Sequence, residues 1–209
     1  MITAIMPIST KEGFENLKRN IINLAEDLRN NNNSMVCIVS NKDLLSEISK
    51  FLQDYFDDSE CLVIFSERSL PLKDSLEYLT DEFVFVANEF LYLPLNIISR
   101  LYANYLKFPK AGFVAGYFTE YPIGYWVDDI YSKTPKIIYS NEKELEDLQE
   151  VDIVLPPYGL LTRTANFKDL FFRGEIVGAE YGLRLRQQGF KNYVDTNIKL
   201  NYGKEVLPK

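Results

Sequence analysis

The sequence predicts an α/β fold built on a mostly parallel, mixed sheet with helices on both faces. Three observations predict it. Short apolar runs recur through the first half of the chain, amphipathic stretches separate them, and no repeat or low-complexity linker interrupts residues 1–209. Strands that alternate with helices of roughly 10–15 residues form right-handed βαβ units, which give a mainly parallel sheet. With no visible boundary, one domain over 1–209 is the expectation.

Each element has its own signal. Ile2 to Met6 is an apolar strand, and Phe14, Leu17, Ile21, Leu24 and Leu28 then recur at helical steps until the asparagines from Asn30 to Asn33. Met35 to Val39 is the second strand. Ser40 or Asn41 can cap the next helix, which carries Leu44, Leu45, Ile48, Leu52 and Tyr55. Leu62 to Phe65 is the third strand, and Pro71 can open a short helix with Leu72, Leu76 and Leu79 on one side. Phe83 to Val86 is the fourth strand. Pro94 can start a helix with Leu95, Ile98, Leu101, Tyr102 and Tyr105 inward, before a strand over Gly112 to Tyr117. The segment from Phe118 to Ser132 reads as a long loop around Pro122 and Gly124. Ile137 to Tyr139 and Ile153 to Leu155 read as short strands, a helix around Leu183 and Leu185 stops at Gly189, and Asn192 to Asn201 is a terminal strand or two.

Composition excludes several chemistries. The chain has no histidine, which removes Ser-His-Asp and Cys-His catalysis and histidine zinc sites. Acid/base work falls to carboxylates, Tyr, Lys or Cys. The net charge of −7 leaves no basic footprint for nucleic acid. Cys37 and Cys61 sit in apparent strands and read as small buried hydrophobes. Met1 to Pro7 is too short and uncharged for a signal peptide, and no apolar run is long enough to span a membrane, so a soluble, cytoplasmic protein is expected.

The most informative stretch is Asp81-Glu82-Phe83-Val84-Phe85-Val86-Ala87-Asn88-Glu89. An apolar run rises from an acidic turn and stops on Asn88 and Glu89. In open α/β sheets ligands bind outside the carboxyl ends of such strands. A carboxylate there needs water, a cation or donors around it. Trp126, the only tryptophan, lies beside Tyr125, Asp128 and Asp129, an aromatic face next to hydroxyl acceptors that suits a sugar.

The order of these motifs resembles the family-two glycosyltransferases of GT-A fold, a Rossmann-like nucleotide-diphospho-sugar transferase architecture. Ile2-Thr3-Ala4-Ile5-Met6-Pro7-Ile8-Ser9-Thr10 is similar to the family's first strand and nucleotide-cradling turn. Met35 to Asn41 is similar to its second strand, and Asp81 to Glu89 to the strand bearing its DxD. Leu155-Pro156-Pro157-Tyr158-Gly159-Leu160-Leu161-Thr162-Arg163 looks like its Gly-bearing strand with a basic end. Leu183-Arg184-Leu185-Arg186-Gln187-Gln188-Gly189-Phe190 resembles the helix that delivers the catalytic base. The resemblance covers roughly residues 1–200.

The resemblance implies an inverting glycosyltransferase that moves a sugar from a nucleotide-sugar donor to a glycan or glycoprotein acceptor. It implies Mn²⁺ or Mg²⁺ on Glu89, with Pro7, Ser9, Asn41, Asn88 and Arg163 around the donor. Glu180, or alternatively Glu175, would be the base; Trp126 and Asp128 would meet the acceptor. The pattern departs from the family at four places. Ala87 stands at the first DxD acid, Ser40 and Asn41 stand at the paired acids after the second strand, and Gly178 falls at the base position, two residues before Glu180. Two other readings stay open: a non-catalytic module that keeps the fold, and a nucleotidyltransferase. The size also resembles small viral glycosyltransferases.

Overall fold

The computed structural model describes all residues except 31, 68–70, 133, 135, 140–146, 155–157, 173–178 and 203–209. Strand β1 (Ile2–Ile8), helix α1 (Lys11–Arg29), β2 (Ser34–Val39), α2 (Lys42–Gln53) and β3 (Cys61–Phe65) follow in order. After a 3₁₀ helix (Pro71–Tyr78) come β4 (Phe83–Val86), β5 (Leu91–Tyr92), α3 (Ile97–Tyr105) and β6 (Ala111–Phe118). The rest comprises β7 (Tyr125–Val127), β8 (Ile137–Tyr139), β9 (Leu148–Val151), β10 (Leu160–Arg163), α4 (Thr164–Phe172), α5 (Ala179–Gln187) and β11 (Lys191–Tyr202).

The main sheet has the order β3-β2-β1-β4-β10-β6-β11-β5, with β9 also paired to β11. Strands β3, β2, β1 and β4 run parallel, while β10 is antiparallel to both β4 and β6. The expected mostly parallel mixed sheet is therefore present. Side chains alternate between two cores, as the two-residue period of a strand requires. Ala4, Met6, Ile8, Met35, Cys37, Val39, Phe83 and Phe85 face α1, α2 and α3. Ile5, Val36, Ile38, Val84 and Val86 face the other side, with Phe167 of α4 and Tyr181 and Leu185 of α5. Both faces are covered, which is why these strands read as continuous apolar runs.

Several elements differ from the sequence expectation. Helix α3 starts at Ile97 rather than at Pro94, after Asn96 in the left-handed region (φ 56°), and Leu95 is exposed. The long loop contains β7, which pairs antiparallel with β8. Ile153 makes a single bridge to Tyr125, and Leu155 lies outside the described residues. Strand β9 and helix α4 carry no periodicity strong enough to announce them. Among the described residues no helix is long and apolar enough to cross a membrane.

Candidate functional site

The carboxyl edge of the parallel strands holds the site, and its geometry begins with Pro7. The β1–β2 ladder runs to Ile8, but the β1–β4 ladder stops at Ile5 opposite Val86. The Ile5 carbonyl accepts from the Ala87 N–H at 2.9 Å on the β4 side, and the Ile8 carbonyl accepts from the Ser40 N–H at 2.9 Å on the β2 side. Alternation turns the Pro7 nitrogen toward β4, where no ladder continues. Its missing donor therefore costs nothing, and it stops the two strands from pairing further. The chain leaves β1 toward β2, and β4 lies on the other side of β1. This is a topological switch point, where a crevice opens.

Three tips border that crevice. At the tip of β2, Asn41 caps α2, its Oδ1 accepting from the Asp43 N–H at 3.0 Å. Beside it, the buried Ser40 hydroxyl has no partner among the described residues. At the tip of β4, Asn88 Oδ1 accepts from the Phe90 N–H at 2.8 Å, which turns the chain, while Ala87 is buried. Gly159 enters β10 from the same edge, with its N–H donating to the Val86 carbonyl at 2.8 Å.

Glu89 is 7% exposed. Its carboxylate accepts from the Ser9 N–H at 2.8 Å, the Thr10 N–H at 3.0 Å and the Thr10 hydroxyl at 3.1 Å. The Ser9 hydroxyl donates to it as well. Thr10 is the N-cap of α1, its Oγ1 accepting from the Gly13 N–H at 2.9 Å. Both Glu89 oxygens are thus engaged at the positive end of a helix. Among the described residues no three acids or cysteines gather into a cation cage. The Mn²⁺ or Mg²⁺ expected on Glu89 does not fit this donor set: Oε2 already takes three donors, Oε1 holds the Ser9 hydroxyl, and no group of three acids forms around it among the described residues to share a hard cation. Ser9 lies at the crevice, but its N–H and hydroxyl are both turned to Glu89.

Arg163 corrects a second expectation. Because β10 is antiparallel to β4, Leu160 lies opposite Val86 and Arg163 opposite Phe83. Three rungs, about 10 Å, carry Arg163 to the amino edge, away from the crevice. There its guanidinium meets Glu82 at 3.1 Å and covers the Phe83 ring at 5.5 Å. It is not placed to reach a donor phosphate.

Glu180 stands in the first turn of α5 and pairs with Arg184, one turn on. The helix ends beside the start of β11, where Lys191 lies opposite Ala111 at the amino edge. Its other end therefore points toward the carboxyl edge. Leu185 packs near Gly112, and Tyr181 stacks on Phe113 with ring centres 5.9 Å apart. Glu180 lies a further roughly 7–8 Å along the axis from Leu185, and its side chain is 47% exposed. Glu175 and Gly178 lie outside the described residues.

Trp126 is half-buried on the second core, paired across β7–β8 with Ile138. Asp128 closes the hairpin: Oδ1 accepts from the Asp129 N–H at 2.8 Å and the Lys136 N–H at 2.9 Å. Those backbone donors, Lys136 first, hold its carboxyl below the ordinary aspartate range. Asp152 joins this hairpin to α5. It accepts from the Val127 N–H at 2.9 Å and from Arg186 Nε at 2.8 Å, and Arg186 also holds Glu150 at 3.0 Å. Asp152 has no signal in its own neighbourhood of the sequence. The signal for it lies in Arg186, a charge on a helix whose inner face is otherwise apolar. Gly182 lets α5 approach this strap, since a Cβ there would lie 2.3 Å from the Asp152 carbonyl oxygen.

No protein-family model and no curated protein matches this sequence. Solved structures do match it. They include GalNAc-T7 with UDP, GalNAc and Mn²⁺ (TM-score 0.71, 10% identity, 97% of this chain and 43% of that one). The mannosyltransferase PcManGT from Pyrobaculum calidifontis, with GDP-Man and Mn²⁺, has a TM-score of 0.65 at 13% identity, over 100% of this chain and 57% of that one. TarS 1-349 from S. aureus with UDP-GlcNAc has 0.63 at 12%, over 99% and 59%. This chain spans about half the length of those structures. The shared fold is GT-A-like.

Proposed function

We propose that this chain is a glycosyltransferase that transfers a sugar from a nucleotide-sugar to a hydroxyl acceptor. The observation that carries the reading is the crevice between β1 and β4, bordered by Pro7, Asn41 and Asn88, on a sheet shared with proteins solved with UDP, UDP-GlcNAc and GDP-Man. Pro7 and the backbone at Ser9 border the nucleotide. Asn41, and the Ser40 hydroxyl left without a partner among the described residues, give polar contacts to its base or ribose, and Asn88 gives one to the ribose. Trp126 and Asp128 meet the acceptor, an aromatic face beside an acid.

The reaction inverts the anomeric carbon. The acceptor oxygen forms a bond to that carbon while the bond to the diphosphate oxygen breaks. The hydroxyl proton passes to Glu180, and the nucleoside diphosphate leaves. Glu175 is the alternative base. No step here runs through a cation, because both Glu89 oxygens already accept from Ser9 and Thr10.

The test is a thermal-shift screen of UDP, GDP, CMP and their sugars, followed by a transfer assay. One nucleotide and its sugar should raise the melting temperature by mass action. Glu180→Gln should keep that shift and lose transfer by about 10²–10⁴-fold. Full activity in the variant moves the base to Glu175. A nucleotide shift without transfer favours the non-catalytic module, a reading that Ala87 in place of an acid supports. No shift with any nucleotide removes both readings.

A further inference from the structure

One carboxylate rejoins the two strands that part at Pro7. Glu89, just after β4, takes four hydrogen bonds from Ser9 and Thr10, which lead from β1 into α1. Thr10 Oγ1 in turn accepts from Gly13, so the tip of β4, the first loop and the first turn of α1 form one hydrogen-bonded unit. The unit has a fixed shape. A Cβ at Gly13 would lie 1.9 Å from Glu89 Oε2 and 2.6 Å from its carboxyl carbon. Only a residue without a side chain leaves room for this carboxylate.

We propose that Glu89 is a latch that orders the donor-site loop, and that this site works without a divalent cation. Glu89 is a positioning residue here. A cation at Oε2 would strand a backbone N–H of Ser9 or Thr10, and one at Oε1 would have to turn the Ser9 hydroxyl away. It would also sit at the positive end of α1, where the helix dipole favours the carboxylate and repels a cation. The latch carries its own negative charge at the place where a helix N-terminus would otherwise draw a phosphate. The loop is therefore in its final shape before any ligand arrives. The link to the donor rests on the function proposed above; the latch and the indifference to metal do not.

Two measurements on the full chain decide it. The first is a thermal-shift titration with MnCl₂ and MgCl₂ alone. The melting temperature of the wild type should stay within about 1 °C. A rise of several degrees that Glu89→Gln abolishes would make Glu89 a metal ligand and overturn the proposal. The second is a cycle of Gly13→Ala and Glu89→Ala. Each single change should lower the melting temperature by about 5–10 °C. The double variant should lose less than the two single losses summed, because removing the carboxylate clears the two nearest atoms the new methyl would meet and leaves only the Cβ of residue 89, at 2.7 Å. Additive losses would show that the two residues act separately and sink the latch. Should Glu89→Ala not fold, Gly13→Ala combined with Glu89→Ser closes the same cycle. Loss of every nucleotide response would remove the functional reading while both measurements still decide the latch.

Discussion

Glu89 and Arg163 each close an apolar run, yet the sheet sends them to opposite edges. The cause is the direction of one strand: β4 runs toward the crevice and β10 runs back from it. Arg163 then stands half-exposed against Glu82, and an ion pair in water contributes little. Arg163→Ala should leave the nucleotide-dependent thermal shift unchanged and cost about 0–1 kcal/mol of stability. A variant that binds nucleotide tenfold more weakly would return Arg163 to the donor site. Nothing in the local sequence reveals this, since a strand reads the same in either direction.

Helix α1 does more at the scale of elements than cover a core. Its apolar stripe was legible from spacing alone, but Asn20 and Asp27 are buried too, and Asn23 is half-buried. Asn20 donates to the Leu91 carbonyl at 2.6 Å and accepts from the Leu93 N–H at 2.9 Å, while Asn23 donates to the Leu93 carbonyl at 3.2 Å. They hold the segment that follows Glu89. Asp27, 1% exposed, accepts from the Ile98 N–H at 2.7 Å, the Ser99 N–H at 3.2 Å and the Ser99 hydroxyl. The neighbouring helix α3 has no side-chain cap of its own at Asn96, so a carboxylate from α1 serves instead. Asp27→Ala should cost about 2–4 kcal/mol, because it strands buried donors at a helix terminus. Urea unfolding checks this, and a loss under about 0.5 kcal/mol would mean that water reaches those donors. Sequence patterning counts a polar residue as exposed. These three turn inward because their partners arrive from 70 to 73 residues along the chain.

The centre of the sheet is covered on both faces, and buried Cys37 reports on that seal, while Cys61 on the edge strand β3 is half-buried. Cys37 lies opposite Val63 and Cys61 opposite Met35, both as free thiols. Burial, with Glu60 beside it, pushes the Cys61 thiol up to about 12, and burial pushes Cys37 up as well. Thiols of the unfolded chain ionise from about pH 8.5. The folded state therefore retains protons that the unfolded state loses, and stability should fall as pH rises from about 8.5 toward about 12. Near pH 8 a disulfide reagent should label Cys37 only as fast as the β2–β3 region opens. Rapid labelling of both thiols without denaturant would contradict the seal.

Composition and periodicity were enough for the alternating elements, the two-sided burial of β1, β2 and β4, and the exclusion of histidine chemistry. Those properties depend on neighbours within a few residues, and a chain carries that information locally. The crevice was legible too, because a strand that ends on Pro7 and one that ends on Asn88 and Glu89 both announce an edge. The direction of β10, the cap that Asp27 gives α3 and the partners of Glu89 were not legible. Each depends on which distant groups meet once the sheet is assembled. The same carboxylate is a cation ligand beside free water and a helix latch beside Ser9 and Thr10, and the backbone donors that make the difference look alike in every sequence.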